Sequence, residues 1–281
     1  MKKSLTPFLL FIIAIAVVML WAPRQAIDPW GLFKPFKVLQ LIFFLAVIQI
    51  LSAFLMRFFN RRFGGIAVGF LGGLVSSTAF TASLARQSHG ANENEIRLQS
   101  LSYLSALLGM ALEAMFLVYI GSGEFHWRLT YIFISPLLMT IFLIVWRTKT
   151  LRGVSFSDGS NSSLSVVSLV KLGIFIALIL AVSKILQNAV GEYGIYILTF
   201  LVSLFELHGS MIANMQLHEA GGLNVTGLGH TVTIGLLASY FAKMTLVLVL
   251  GCKELKTRIV RYSILLIGSL LLGWGVFLVA S

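Results

Sequence analysis

Cysteine occurs once in this sequence, at Cys252, which excludes an internal disulfide and any cysteine-rich metal centre. Charge is scarce: 11% of the 281 residues are Asp, Glu, Lys or Arg, where a soluble domain carries roughly 25%. Acids are the rarer sign, with 10 against 21 bases. Signatures of chemistry are missing too. The chain has no Walker A phosphate loop, no His-Glu-x-x-His and no Gly-x-Ser-x-Gly. These absences point away from an enzyme and from ATP-driven transport by this chain alone. No long polar region leaves room for a soluble domain, and no resident cofactor is expected.

What the chain has in quantity is apolar surface. Hydrophobic residues make up 58% of it and mean hydropathy is +0.95, which reads as an all-α polytopic membrane protein. The formal net charge of +11 fits Lys and Arg collecting in cytoplasmic loops better than nucleic-acid binding. Apolar segments of spanning length cover about 5–22, 37–56, 64–85, 98–120, 129–146, 164–187, 193–217, 228–251 and 259–280. Leu5 to Trp21 resembles a signal sequence, but no small-residue cleavage site follows, so it is read as a retained first helix. The expected setting is the bacterial cytoplasmic (inner) membrane, with the N-terminus cytoplasmic.

One of these segments is chemically out of place. Residues 69–86 hold Gly69, Gly72 and Gly73 together with Ser76, Ser77, Thr78, Thr81 and Ser83. Non-helical backbone at membrane depth survives only where protein or a water-filled cavity satisfies it. The stretch is therefore expected to be a broken or re-entrant helix lining a site. Sliding the chain by about 130 residues pairs Phe63-Gly64 with Tyr193-Gly194, Phe70-Leu71 with Phe200-Leu201, Gly121 with Gly251 and Arg128 with Arg258. The same offset sets Ser76 on Glu206, Thr78 on His208 and Glu113 on Lys243. This reads as a two-fold internal repeat in a single membrane domain: 1–34 an extra helix and loop, 35–150 the first repeat, 151–163 a linker and 164–281 the second repeat. Paired broken segments in two halves are a pointer to a transporter site.

Basic residues choose between two topologies. With nine spans and the N-terminus inside, the cytoplasmic side holds 11 bases and the external side 8. If 64–85 and 193–217 instead re-enter, the split becomes 14 to 5, with Arg24, Lys34, Lys37, Arg128 and Lys184 outside. The positive-inside rule favours the second arrangement, seven spans plus two hairpins. It also makes the repeats antiparallel, an inverted repeat.

Ionisable groups inside such a bundle are functional candidates. Glu113 and Lys243 lie mid-segment, while Glu206 and His208 stand two residues apart and converge if the chain breaks near Gly209. A carboxylate with an imidazole suits a transition-metal ion or proton transfer. Beyond Gly209, helical spacing aligns Met211, Met215 and His218, with Asn214 nearby. These are weaker metal candidates, since methionine more often fills core gaps.

Gly72-Gly-Leu-Val-Ser-Ser-Thr-Ala followed by Ser83-Leu-Ala-Arg86, with weaker similarity over about 35–260, resembles an uncharacterised bacterial and archaeal membrane domain family often found C-terminal to MgtC/SapB domains. The resemblance implies a membrane protein loosely associated with magnesium or metal homeostasis, without a known activity. The family pattern carries an Asp-x-Asp pair where this chain has Glu206 and His208, Arg at 113 and Asn at 239. Charge therefore reverses at 113 and, in the opposite sense, at 208. Compensated reversal implies that Glu113 touches His208, and Glu206 is then expected to pair with Lys243.

The leading expectation is a secondary transporter or permease of a divalent metal cation, proton-coupled, with the metal as substrate. Glu113, Glu206 and His208 would ligate it, and Ser76, Ser77, Thr78 and Lys243 would complete the site. Alternatives are a proton-coupled carrier of a small organic or anionic solute, and a non-transporting membrane partner or sensor. Expected partners are membrane lipid, the ion or solute, and a second copy in a homodimer.

Overall fold

The computed structural model describes residues 6–28, 33–59, 64–121, 126–148 and 166–280, and every regular element among them is helical. The expected linker at 151–163 lies outside the described residues. Helices run α1 Thr6–Trp21, α2 Pro35–Phe59, α3 Gly64–Gln87, α4 Glu93–Gly121, α5 Thr130–Thr148, α6 Val166–Val190, α7 Glu192–Ser203, α8 Leu207–Glu219, α9 Val225–Leu250 and α10 Lys253–Val279. A single 3₁₀ turn, Trp127–Leu129, leads into α5. Six of the described helices, with α3 counted end to end among them, are long and apolar enough to cross a bilayer, and the chain is a multi-pass membrane protein. Helices satisfy their own backbone polar groups, which lipid cannot do. Their outer faces carry exposed Leu138, Phe142, Ile264 and Leu272.

Helix α3 is not straight. Gly65, Gly69 and Gly73 recur every fourth residue, the spacing that lets two membrane helices approach closely. A Cβ on Gly65 would meet Ser102 and Leu98, one on Gly69 would lie 2.3 Å from the Ser102 carbonyl oxygen, and one on Gly73 would lie 2.2 Å from that of Ala106. The contacts climb together, so the first half of α3 runs in the same direction as α4. At Ser76 the backbone becomes extended (φ −169°, ψ 96°) and the chain turns back. A Cβ on Gly72 would strike the Phe80 ring at 2.4 Å, although eight residues of straight helix span about 12 Å. Past the end of α3, the Ser88 hydroxyl accepts a hydrogen bond from the Cys252 backbone N–H at 2.8 Å, and His89 Nε2 lies 3.0 Å from the Leu250 carbonyl oxygen.

Helices α7 and α8 form a second reversal. Thr199 on α7 bonds Asn214 on α8 across 3.3 Å. A Cβ on Gly227 would lie 3.6 Å from the Tyr196 hydroxyl, and one on Gly235 would lie 3.2 Å from the Ser203 hydroxyl. Helix α7 thus runs in the same direction as α9. The break falls at Leu204 to Glu206, not at Gly209 as the sequence suggested. Glu206 is extended (φ −143°, ψ 96°) and its side chain accepts a hydrogen bond from the His208 N–H, so the helix starts at Leu207. Capping by a carboxylate sets the boundary, and Gly209 sits buried in the first turn. Helix α8 joins two apolar clusters. Leu207, Met211 and Met215 pack with α3, α4, α5, α9 and α10, whereas Ile212, Ala213 and Leu217 pack with α1, α2, α6 and α7.

Candidate functional site

The start of α8 projects into the bundle against α4 and α9, and the ionisable groups gather there. Glu113 reaches it from α4 with its side chain 1% exposed. His208 stands between two carboxylates: Nε2 lies 3.4 Å from Glu113 Oε2, and Nδ1 lies 3.6 Å from Glu206 Oε1. Glu206 is the open end of this row, at 39% exposure. Neither Glu113 oxygen accepts a hydrogen bond among the described residues. The carboxylate therefore leans on His208 alone, and removing one partner of a buried pair is costly.

Lys243 departs from expectation. It is 3% exposed, and its Nζ donates to Ser239 Oγ at 2.7 Å. No ion pair joins it to Glu206 among the described residues. Ser239 stands one turn back on α9, where a hydroxyl reaches the ammonium without bending either element. Ser239 Oγ in turn approaches Met110 Sδ on α4 at 3.3 Å.

The serine-rich tip is built like the tip of α7 and α8. Ser76 Oγ accepts from the Ala79 N–H at 3.3 Å and so caps the second half of α3. Ser77 is buried and Thr78 half-buried. No hydrogen bond or ion pair among the described residues links these three to the charged row.

The weaker metal candidates scatter. Met211 and Met215 are core residues, packed on Gly235 and Gly121. Asn214 holds the α7–α8 reversal. His218 turns Nδ1 to the Leu223 carbonyl at 2.7 Å and Nε2 to His126 Nε2 at 3.4 Å. Its neighbour Glu219 pairs with Lys37 at 2.7 Å and Lys34 at 3.2 Å. Among the described residues no group of three or more His, Cys, Asp or Glu side chains is placed to hold a metal ion. In the row, the imidazole separates the carboxylates instead of converging with them on one point. Sequence reasoning missed His126, which has no apolar periodicity around it to place it opposite His218. It also missed Ser239 as the partner of Lys243, a relation that the four-residue spacing encodes.

No curated protein and no solved structure matches this chain. A family model does, over residues 43–251. The matched span includes both chain reversals, Glu113, the Glu206–His208 pair and Lys243, and the chain belongs to the family described as a domain of unknown function, DUF4010.

Proposed function

We propose that this chain is a proton-coupled secondary transporter built as an inverted repeat. The observation that carries the reading is His208 with one carboxylate on each ring nitrogen, at 3.4 and 3.6 Å. An imidazole accepts a proton on one nitrogen and releases one from the other, so such a row moves protons between Glu206, the more exposed carboxylate, and Glu113, which is buried. Separations this long at rest are common where the productive contact tightens during turnover.

Several features support the inverted repeat. Ser76 and Glu206, about 130 residues apart, share extended backbone and cap the helix that follows. Under the same offset α2, α3, α4 and α5 correspond to α6, α7 with α8, α9 and α10. Helix α4 packs on α8 and α3 on α9, as an exchange of halves requires, while α5 packs on its own counterpart α10. Ser88 and His89 bond to residues 250–252. Nine alternating spans would place those two loops on opposite faces. The reading is therefore two re-entrant hairpins, with the N-terminus and most basic residues cytoplasmic. Cysteine labelling tests it. In a Cys252→Ser background, His89→Cys is expected to react only from the cytoplasmic side and Ala220→Cys only from outside. External labelling of His89→Cys would sink the hairpin topology.

The divalent cation first expected as cargo has less support than the coupling, because Glu113, Glu206 and His208 form a line and not a cage. A small anionic solute finds support in Lys243, a buried ammonium whose one direct partner among the described residues is a neutral hydroxyl. Proteoliposomes with a trapped pH dye, offered divalent cations in one set and small carboxylates in another, test both. Cargo-dependent proton movement in the unaltered protein and its loss in His208→Gln are expected. Persistence in His208→Gln would remove the row from the coupling path.

A further inference from the structure

At the opposite end of the bundle from Lys34, Lys37 and Glu219, a cavity of about 540 Å³ opens between the end of α5 and the start of α10. Four cations line it: Arg147, Lys253, Arg258 and Arg261. Of its two acids, Glu93 is already engaged by Arg258 and by Arg97, the latter at 3.2 Å. Glu254 is the other, at the mouth in the first turn of α10. Lys253 and Arg261 are exposed and two turns apart, on the same face of α10. Arg147 stacks over the Trp146 ring at 4.7 Å. The wall of the cavity is apolar, formed by Leu143, Trp146 and Leu265, and Trp146 and Leu265 are exposed outward. The other end of the same helix pair is different. There, Tyr131 and Ser135 meet Gly273, and among the described residues at that end Arg128, in the turn that leads into α5, is the only cation.

We infer that this cavity binds the phosphodiester headgroup of an anionic phospholipid. Clustered guanidinium and ammonium groups match a phosphate. The first turn of α10 adds backbone N–H groups, of which the Glu254 carboxylate engages its own. A soluble phosphate would use only this polar floor. Trp146 and Leu265 carry the apolar side of the cavity onto the outer face of the helix pair, which has a use only for a ligand that carries acyl chains, and basic pockets between transmembrane helices take such headgroups. The cations at one end of the α5–α10 pair and their scarcity at the other fit a single leaflet. The inference depends on the membrane embedding and not on transport.

Delipidated full-length protein is exchanged into mixed phosphatidylglycerol and phosphatidylethanolamine bilayers, and the lipid retained is counted by native mass spectrometry. Phosphatidylglycerol is expected to be retained over phosphatidylethanolamine by about tenfold or more. The double variant Lys253→Gln/Arg261→Gln, which leaves the Arg258–Glu93 pair intact, is expected to lose that preference. Arg86→Gln/Lys256→Gln removes the same charge outside the cavity and is expected to keep it. Equal loss in both double variants would show a general surface-charge effect and overturn the site. Displacement of phosphatidylglycerol by an equal concentration of inorganic phosphate would overturn the lipid as its occupant.

Discussion

Glu113→Gln is expected to lower proton-coupled flux by about 10²–10⁴-fold, the range that a positioned proton-transfer group contributes. The amide keeps the size and reach of the carboxylate, so the pocket stays filled, but it neither takes nor gives a proton. The competing view is that the row only clamps α4 to α8. A charge-reversed double variant separates the two. Glu113→Arg with His208→Asp reinstates an oppositely charged pair between α4 and α8, where His208 and Glu113 now meet. A guanidinium stays protonated. If the row carries protons, the double variant is expected to recover the thermal stability lost in Glu113→Arg alone while flux stays absent. Recovery of flux with stability would show that an ion pair suffices and would overturn the proton-relay reading. Flux by Glu113→Gln at the native rate would do the same.

Much of this architecture is legible in the amino-acid order because lipid imposes so strong a pattern. The apolar segments anticipate the helices α1 to α10 with end shifts of a few residues. The excess of glycine and hydroxyls over 69–86 marks the helix that does not run straight, and the contact expected between Glu113 and His208 is present at 3.4 Å. Local competition explains where the order of residues misleads. Gly209 looks like the obvious breaker between Glu206 and His208, yet the Glu206 carboxylate captures the His208 N–H first and starts the helix earlier. Lys243 has Glu206 within electrostatic reach but takes the hydroxyl on its own helix, because Ser239 needs no displacement of α8. Methionines spaced like ligands are packing residues, with Met211 lying against Gly235 and Met215 against Gly121. Spacing alone carries no information about which neighbour a helix face meets.

Gly73→Ala is expected to destabilise the protein more than the addition of one methyl group to an ordinary core site. The new Cβ would stand 2.2 Å from the Ala106 carbonyl oxygen and 2.6 Å from the Ala106 Cα. Both are backbone atoms of a regular helix, so no side chain can rotate away. Relief requires the first half of α3 to lift off α4, and Gly69, similarly close to the Ser102 carbonyl, is drawn with it. Overpacking of an ordinary core costs about 1–3 kcal/mol, and a rigid backbone contact lies at or above the top of that range. At roughly 2–4 °C per kcal/mol for a chain of this size class, Tm in detergent is expected to fall by about 6–12 °C or more. Gly268→Ala is the matched control: it is helical, and nothing lies within 4 Å of an added Cβ. There the methyl group is expected to stabilise by about 0.5–1 kcal/mol through helix propensity. The two substitutions add the same atom to the same residue type, so a shared effect on propensity cancels between them. The difference measures how closely α3 lies on α4. Equal melting temperatures would mean that the first half of α3 does not run against α4 at all, and the re-entrant hairpin would fall with that contact.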